Sequence, residues 1–422
     1  MQGQALPGFR DSYPEELALR NYLFATWRDV ARRYGFQEYD GPPLEPLELY
    51  AEKSGEEIVQ QLYAFVDKGG RNVALRPEMT PTLARMVGAR AQALKKPIRW
   101  FAIPQLFRYE RQQRGRLREH FQLNMDIIGE PGPAADAEVM AAGLDIMRSL
   151  GLEATQVRLR VSDRRIVTAQ LTQEYRVTAT ELPGVLAGLD KWDRHPAEAD
   201  ALLRKELGND ARVGPILEFM SGLREQADAL RKLPVAEPLN ECCSRLEAMG
   251  LGQFVEVDFR IVRGLAYYTG IVFELFDAGK SLRAICGGGR YDDLLKQISG
   301  IDLPCVGFGM GDVVLGELLR ELGKQPEAPT QLDAFLVAVG GEDVAVVLKL
   351  AAELRERGLA VEYALRHQPI RKQLELAAAR GAARAVIIGP DERRAKNAIV
   401  RDLNTGKQRN VSLAKVRKGT LK

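Results

Sequence analysis

The segment FRYERQQRGRLREHFQLNMD, residues 107–126, places the strongest constraint on the fold. Consecutive side chains of a β-strand point to opposite faces of the sheet. The second half of the segment therefore predicts a strand with one apolar and one polar face: Phe121, Leu123, Met125 and Ile127 on the first, Gln122, Asn124 and Asp126 on the second. An arginine-rich loop precedes this strand, and before the loop Arg108 and Glu110 share a face. The pattern indicates an antiparallel hairpin whose polar face is either solvated or a floor for a highly charged substrate.

Two other segments end a predicted strand with charged groups or tyrosines. In ALRPEMT, Arg76 and Glu78 stand between a strand and a helix, and in RGLAYYTGIVFE, Arg263 precedes Tyr267 and Tyr268. Guanidinium groups suit phosphates because their planar fork makes two parallel hydrogen bonds. Carboxylates suit an ammonium group. One cavity that holds both kinds of group would suit ATP together with an amino acid.

Composition excludes several other kinds of site. The four cysteines, Cys242, Cys243, Cys286 and Cys305, show no CxxC spacing, so we expect reduced thiols rather than zinc ligands or disulfides. With three histidines in the chain, we expect neither a histidine triad nor a metal site held by side chains. GFGMGDVV lacks the last glycine of GxGxxG, and no P-loop motif is present, so neither nucleotide loop is predicted.

The sequence shows no targeting or membrane signal. The N-terminus, MQGQALPGFRDSYPEE, lacks the basic and then apolar pattern of a signal peptide. No run approaches the roughly eighteen apolar residues that a membrane span needs. We therefore expect a cytoplasmic protein without a membrane partner.

The pattern along the chain predicts two domains, since 422 residues are too many for one hydrophobic core. Ser12 to Glu15 predicts a capping box ahead of a helix that stops at Gly35. A helix-rich, charged stretch at about 165–245 predicts a helical insertion in a catalytic domain of residues 1–324. After the linker GKQPEAPTQ, a β-α-β-α-β pattern predicts a separate α/β domain over residues 331–422.

The charge is unevenly distributed. Residues 331–422 hold 18 Lys and Arg against 10 Asp and Glu, an excess of eight positive charges, whereas the whole chain carries +3. A basic domain beside a mildly acidic body suggests a polyanionic partner such as nucleic acid. The alternative is that this basic C-terminal segment has no specific partner.

Together these motifs resemble those of the histidyl-tRNA synthetases, a family of class II aminoacyl-tRNA synthetases. FRYERQQRGRLREHFQ is similar to motif 2 of the class, and RGLAYYTGIVFE and GGGRYDDLL resemble the two histidine-specific blocks. GFRDSYPEE, ALRPEMT and RKQLELAAARGAARAVIIG extend the likeness over essentially the whole chain. The resemblance implies an α+β fold: a class II antiparallel-sheet catalytic domain with a helical insertion, and a C-terminal α/β anticodon-binding domain. It also implies a homodimer, because the first helix and YGFQEYDGPPLEP resemble motif 1, the dimer element.

The resemblance implies histidine–tRNA ligase activity, in which ATP and Mg²⁺ activate histidine and the 3′ end of tRNA(His) accepts it. The implied ATP site holds the α-phosphate with Arg108, the adenine amino group with Glu110 and the outer phosphates with Arg116, and stacks Phe121 or His120 on adenine. The implied histidine site binds the ammonium group with Glu78, Thr80 and Gln122, reads the imidazole with Asp126 and Tyr268, and is lined by Tyr267. Arg263 is implied to stabilise the reacting carboxylate and α-phosphate, which makes it catalytic together with Arg108. Gln113 is implied to approach the tRNA acceptor end.

Departures from the family pattern leave an alternative open. Ala266 stands where many members have Asp, and Val314 stands where motif 3 usually has an arginine for the γ-phosphate. Arg116 is the first candidate to replace that arginine and Arg290 the second, unless Arg290 only caps a helix or pairs with Asp292. The alternative function is a non-charging paralogue, the histidine-sensing regulatory subunit of ATP phosphoribosyltransferase. That paralogue family lacks the anticodon-binding domain and catalytic arginines, whereas this chain has residues 331–422, Arg108, Arg116 and Arg263.

Overall fold

The computed structural model describes most of the chain and divides it into two compact units. The described residues are 3, 5–51, 60–110, 117–192, 195–208, 210–261, 267–279, 282–326 and 332–421. The first unit is Met1–Gln325 and the second Pro326–Lys422.

A nine-stranded sheet forms the centre of the first unit in the described residues. Its strands are β1 (Gln37–Glu38), β5 (Ile98–Ala102), β6 (Gln105–Phe107), β7 (Glu119–Ile128), β8 (Val157–Asp163), β9 (Val255–Val257), β10 (Ile271–Asp277), β11 (Cys286–Arg290) and β12 (Cys305–Gly311). They are ordered β1-β5-β7-β12-β11-β10-β8-β9, with β6 paired to β7. The β1–β5 and β8–β9 pairs are parallel and the other pairs antiparallel. The hairpin and the antiparallel sheet predicted from the sequence are confirmed.

A smaller antiparallel sheet lies beside this one, ordered β2-β4-β3. Its strands are β2 (Leu44–Pro46), β3 (Tyr63–Val66) and β4 (Asn72–Leu75). The turn between β3 and β4 is held by Asp67, whose Oδ1 accepts from the backbone N–H groups of Gly69 and Arg71.

The helices of the first unit pack against the sheet or form a cluster of their own. They are α1 (Pro14–Arg33), α2 (Glu48–Ala51), α3 (Thr80–Arg90), α4 (Pro133–Ser149), α5 (Arg164–Gln173), α6 (Leu182–Trp192), α7 (Pro196–Leu207), α8 (Asp210–Ser221), α9 (Ala227–Leu230), α10 (Glu237–Ala248), α11 (Leu294–Ser299) and α12 (Asp312–Glu321). The helices α5 to α10 follow one another between β8 and β9. Most of the other long helices cover the face of β7 that carries Leu123, Met125 and Ile127, all of which are buried in the main core.

The first helix begins later than the capping box predicts. Leu19, Leu23, Trp27 and Val30 are buried at the predicted spacing, which confirms the helix. Its N-cap residue, however, is Tyr13, with no side-chain cap. The predicted capping box is wrong because Ser12 lies one residue too early, and its Oγ instead accepts a hydrogen bond from Arg20 at 3.2 Å.

The second unit is a five-stranded sheet with helices, ordered β14-β13-β15-β16-β17 in the described residues. Its elements are β13 (Ala334–Ala338), α13 (Val344–Arg355), β14 (Val361–Tyr363), α14 (Ile370–Ala379), β15 (Arg384–Ile388), α15 (Pro390–Ala395), β16 (Asn397–Asp402), β17 (Gln408–Ser412) and α16 (Leu413–Arg417). The predicted β-α-β-α-β order is confirmed by three parallel strands. Two antiparallel strands, β16 and β17, extend this sheet and were not predicted from the sequence.

We predict that Gly307→Ala destabilises the first unit, because β12 lies unusually close to β7 at this point. A Cβ atom at Gly307 would lie 1.9 Å from Asp126 Oδ1 and 2.8 Å from the Met125 carbonyl oxygen. Since a backbone atom cannot swing away, the cost should be about 1–3 kcal/mol or more, measured by urea denaturation. Gly311→Ala is the control, since its Cβ would have no described atom within 4 Å. Equal midpoints for the two variants would contradict the prediction.

Candidate active site

The polar face of β7 is left open by glycines on the neighbouring strand. Gly307, Gly309 and Gly311 of β12 lie directly across from Asp126, Asn124 and Gln122. A Cβ at Gly309 would lie 2.7 Å from Gln122 Cδ. The side chains of β7 can therefore extend over β12, because the β12 residues on this face are glycines and carry no side chain. This role of the glycines was not predicted, although glycine at every second position of VGFGMG indicates it.

Asp126 is the most deeply buried acidic group on this face, with 5% of its surface exposed. Its Oδ1 accepts a hydrogen bond from the Tyr291 hydroxyl at 2.5 Å. Burial raises the pKa of Asp126 to about 7, even though the Tyr291 hydrogen bond acts in the opposite direction. Near neutral pH this carboxyl group is therefore close to its titration midpoint, and a ligand that donates a hydrogen bond can shift it to the ionised form.

Three tyrosines from two separate sequence segments, Tyr267, Tyr268 and Tyr291, lie close together near Asp126. The ring centroid of Tyr267 lies 5.0 Å from that of Tyr268 and 5.8 Å from that of Tyr291. The Tyr267 hydroxyl donates to Glu78 Oε2 at 3.3 Å. Tyr268 and Tyr291 are buried together in one apolar cluster. The structure thus brings Glu78, Tyr267, Tyr268 and Asp126 together, as the sequence blocks predict.

The end of β6 places Arg108, the predicted ligand of the α-phosphate, close to the start of α3. Arg108 directly follows β6, and its Nε donates to the Pro77 carbonyl oxygen at 2.9 Å. Thr80 is the first residue of α3, and Glu110 is buried at 9% exposure. Arg76 has a structural role, since it donates to Asp40 and to the carbonyl oxygens of Gly41 and Gln105.

Phe121 does not join the other predicted site residues. It lies on the face of β7 opposite to Gln122, where its ring meets the Phe24 ring edge-on at 5.2 Å. The Arg20 guanidinium lies 4.8 Å from the same ring. His120 shares the polar face with Gln122 instead, because strand side chains alternate. Burial, and then the nearby Arg108, lowers the pKa of His120 to about 3, so its imidazole is neutral at pH 7.

Arg290 is committed to a structural ion pair. It is 4% exposed, and its guanidinium donates to the carboxylate of Asp136, to the carbonyl oxygens of Glu130 and Gly132, and to Asp292. The expectation that Arg290 could hold a phosphate is therefore wrong, and its pairing with Asp292 is confirmed. Val314 lies in α12 and is buried in the main core.

Three predicted residues, Gln113, Arg116 and Arg263, lie outside the described residues, as does Ala266. Their roles stay predictions.

Comparison with known proteins identifies the family. A model described as "Histidyl-tRNA synthetase" matches residues 8–312, and one described as "Anticodon binding domain" matches residues 333–421. The chain belongs to the histidyl-tRNA synthetase family. It is 45% identical to a histidine–tRNA ligase of Opitutus terrae over 97% of this chain and 95% of the relative. It is 39% identical to the chloroplastic/mitochondrial histidine–tRNA ligase of Arabidopsis thaliana over 96% and 84%.

A solved histidyl-tRNA synthetase from Nostoc sp. PCC 7120 has the same fold. It superposes with a TM-score of 0.80 at 25% identity and covers 99% of both chains. This family match accounts for the central antiparallel sheet and the separate C-terminal unit. Among the described residues, no helix has the length and apolar character needed to cross a bilayer.

We predict that Asp126→Asn stabilises the protein increasingly as the pH rises from 5 to 8. Because burial raises the pKa of Asp126 to about 7, the folded wild type binds a proton that the unfolded chain releases above about pH 4. Its stability therefore falls with rising pH across this window, whereas Asn carries no such penalty. The gain should reach roughly 2–4 kcal/mol at pH 8 in urea denaturation. A difference that is the same at pH 5 and pH 8 would show that Asp126 titrates in its ordinary range.

We predict that Arg290→Met lowers stability without affecting ATP binding. The substitution leaves the Asp136 carboxylate buried without its cation, which costs about 3–5 kcal/mol. Arg148→Met is the matched control, because Arg148 pairs with Asp145 at an exposed position, where ion pairs contribute about 0–1 kcal/mol. Thermal denaturation should separate the two variants, and the KM for ATP should equal that of the wild type in both. A KM for ATP that is raised in Arg290→Met alone would show that Arg290 does bind a phosphate of ATP.

Proposed function

We propose that this protein is a histidine–tRNA ligase, which activates histidine with ATP and transfers it to the 3′ end of tRNA(His). The observation that carries the proposal is the family match, which extends through both units of the chain. The relatives that carry this name are similar over nearly their whole length. The site geometry supports it, because the Asp126 carboxyl group is buried beside tyrosines. Tyr267 connects these tyrosines to Glu78, which directly follows the Pro77 carbonyl group that Arg108 binds.

The histidine side of the proposed site extends from α3 across β7. Glu78, Thr80 and Gln122 bind the α-ammonium group, which two carboxylate or amide oxygens and a hydroxyl can satisfy. Asp126 accepts from an imidazole N–H and Tyr268 bonds the other nitrogen, while Tyr267 lines the pocket. A site that pairs both nitrogens rejects apolar amino acids by factors of about 10⁴–10⁵, since these would leave its buried polar groups unpaired.

The ATP side of the proposed site begins at the end of β6. Arg108 holds the α-phosphate, Glu110 the adenine amino group and Arg116 the outer phosphates. For the ring stacked on adenine we propose His120 in place of Phe121, because His120 is neutral and shares the face of Gln122. Among the described residues, no group of three or more His, Cys, Asp or Glu side chains is placed to hold a metal ion. We propose that Mg²⁺ enters with ATP and is bound largely by its phosphates, whose charge it would neutralise.

The proposed chemistry requires no nucleophile from the protein. A carboxylate oxygen of histidine attacks the α-phosphorus, the bond to the bridging oxygen breaks and pyrophosphate leaves. Negative charge grows on the α-phosphoryl oxygens, and Arg108 and Arg263 stabilise it without reorganising. A hydroxyl of the terminal tRNA ribose, guided by Gln113, then attacks the carbonyl carbon, and AMP leaves.

The second unit is proposed to bind the anticodon arm. Residues 331–422 of this unit carry an excess of eight positive charges, which favours a polyanion, and the match to the anticodon-binding family supports RNA over other polyanions. We also propose a homodimer through the motif 1 elements, α1 and β1. A cytoplasmic location is supported by the four free cysteines, Cys242, Cys243, Cys286 and Cys305.

The non-charging paralogue is the second candidate. One solved structure with this fold is named as an ATP phosphoribosyltransferase regulatory subunit/histidyl-tRNA synthetase, at 20% identity. The C-terminal anticodon-binding match and the retained Arg108 favour the ligase. Charging of tRNA(His) by the full chain tests the proposal, and histidine binding without charging would favour the paralogue.

We predict that removing residues 326–422 separates the two half-reactions. The cut follows the boundary between the two compact units, so the first unit keeps the whole proposed site. Charging of tRNA(His) should fall by at least about 100-fold, the equivalent of 2.7 kcal/mol of tRNA binding, while histidine-dependent ATP–pyrophosphate exchange falls less than about 5-fold. Charging by the full chain should also weaken steeply with salt, because Lys and Arg contacts to phosphates release counterions. Equal losses of both activities would contradict this division of labour.

A further inference from the structure

Tyr39 lies on the same sheet face as Asp126, in a segment to which the proposed function gives a role in the dimer and no part in the histidine site. It directly follows β1, and its backbone N–H donates to the Phe101 carbonyl oxygen at 2.9 Å. Gln37 of β1 pairs with Trp100 of β5, and Trp100 pairs with Asp126 of β7. Tyr39 stands two residues after Gln37, so its side chain returns to the face of Asp126. Its ring lies 5.3 Å from the Trp100 ring.

The Tyr39 hydroxyl is buried and has no hydrogen-bond partner among the residues that the structure describes. Leaving such a group unpaired costs folding free energy. The other hydroxyl groups of the cluster are engaged, since Tyr291 donates to Asp126 and Tyr267 to Glu78. A buried hydroxyl without a protein partner is suited to an acceptor that forms when a ligand binds.

Asp126 is the group that changes when an imidazole binds. An ionised carboxylate accepts on both oxygens, and Tyr291 occupies only Oδ1. Burial, and then the nearby Asp126, raises the pKa of Tyr39 well above its ordinary value, so the phenol keeps a proton to donate. Hydrogen bonds to the charged form of an acid stabilise that form.

In the described residues, few charged or titratable groups lie around Tyr39 and Asp126. Tyr291 and the Cys305 thiol face Asp126, and burial followed by the Asp126 carboxylate raises the pKa of that thiol. Arg76 lies near Tyr39, where its charge acts against the rise in the Tyr39 pKa, but its guanidinium is bound by Asp40 and by the Gly41 carbonyl. Tyr39 is therefore a donor available to the second Asp126 oxygen in the described part of the chain.

We propose that Tyr39 is a positioning residue for histidine recognition: when histidine binds, its hydroxyl donates to Asp126 Oδ2 and holds the carboxylate ionised toward the imidazole N–H. This inference rests on the proposed function, since it assumes that the imidazole binds at Asp126. Tyr39 acts through Asp126 and does not touch the reacting atoms.

The test is Tyr39→Phe, which removes the hydroxyl and keeps the ring against Trp100. Histidine-dependent ATP–pyrophosphate exchange should show a KM for histidine raised about 10-fold, the effect of one lost hydrogen bond to a charged group, with the KM for ATP unchanged. The acid limb of kcat at saturating histidine, which reports the bound complex, should move up by about one pH unit. The acid limb of kcat/KM, which reports the free protein, should stay in place, because the hydroxyl is unpaired there.

Tyr34→Phe is the matched control. Tyr34 is also a half-buried tyrosine, but its hydroxyl donates to Asp145 at 2.7 Å, away from the polar face of β7, so the KM for histidine should not change. An unchanged KM in Tyr39→Phe would overturn the proposal. So would a raised KM with an unmoved acid limb of kcat, because a purely structural defect does not alter the titration of the complex.

Histidine binding measured by calorimetry separates this inference from the proposed function. If the wild type shows no exchange activity, the proposed function fails, but the affinities of the wild type and Tyr39→Phe for histidine between pH 5.5 and 8.5 still test Tyr39. A roughly 10-fold weaker affinity of Tyr39→Phe at pH 8 supports the inference. Equal affinities would refute it.

Discussion

The buried Asp126 carboxyl is the constraint on which the rest of the site depends. Its burial is costly because a charged group loses its hydration in the sheet interior, and the raised pKa of about 7 expresses that cost. The fold tolerates it because Tyr291 donates a hydrogen bond and because Gly307 leaves room for the carboxyl above β12. A buried acid of this kind suits a ligand that donates a hydrogen bond to it and so offsets the cost of its burial.

Much of this arrangement could be predicted from the sequence, since it follows from strand alternation. The apolar and the polar face of β7 follow directly from the alternation of side chains along a strand. The same alternation places Phe121 on the core side, and the family resemblance alone connected that residue with adenine. The contacts of Arg290 could not be predicted, because its main partner, Asp136, lies 154 residues away in the sequence. Tyr39 was missed for the same reason: its neighbour Trp100 is reached only through the parallel pairing of β1 with β5.

The contacts that each arginine makes within the protein limit which arginines can bind the phosphates of ATP. Val314 is buried in the main core and cannot bond a phosphate, and Arg290 is enclosed by carboxylate and carbonyl oxygens. Arg108 keeps contact with a backbone carbonyl through Nε, which orients the guanidinium while its terminal nitrogens can reach an anion. We therefore assign the γ-phosphate to Arg116 and to the Mg²⁺ that accompanies ATP, as part of the proposed function.

We propose that Asp126 and the tyrosines beside it select histidine for adenylate formation. The most direct measurement is ATP–pyrophosphate exchange by the intact wild-type protein with each of the twenty amino acids in turn, at saturating ATP and Mg²⁺. We expect exchange with histidine alone, and a kcat/KM for every other amino acid that is lower by a factor of about 10⁴ or more. Binding of histidine with no exchange, or exchange driven equally well by another amino acid, would contradict it.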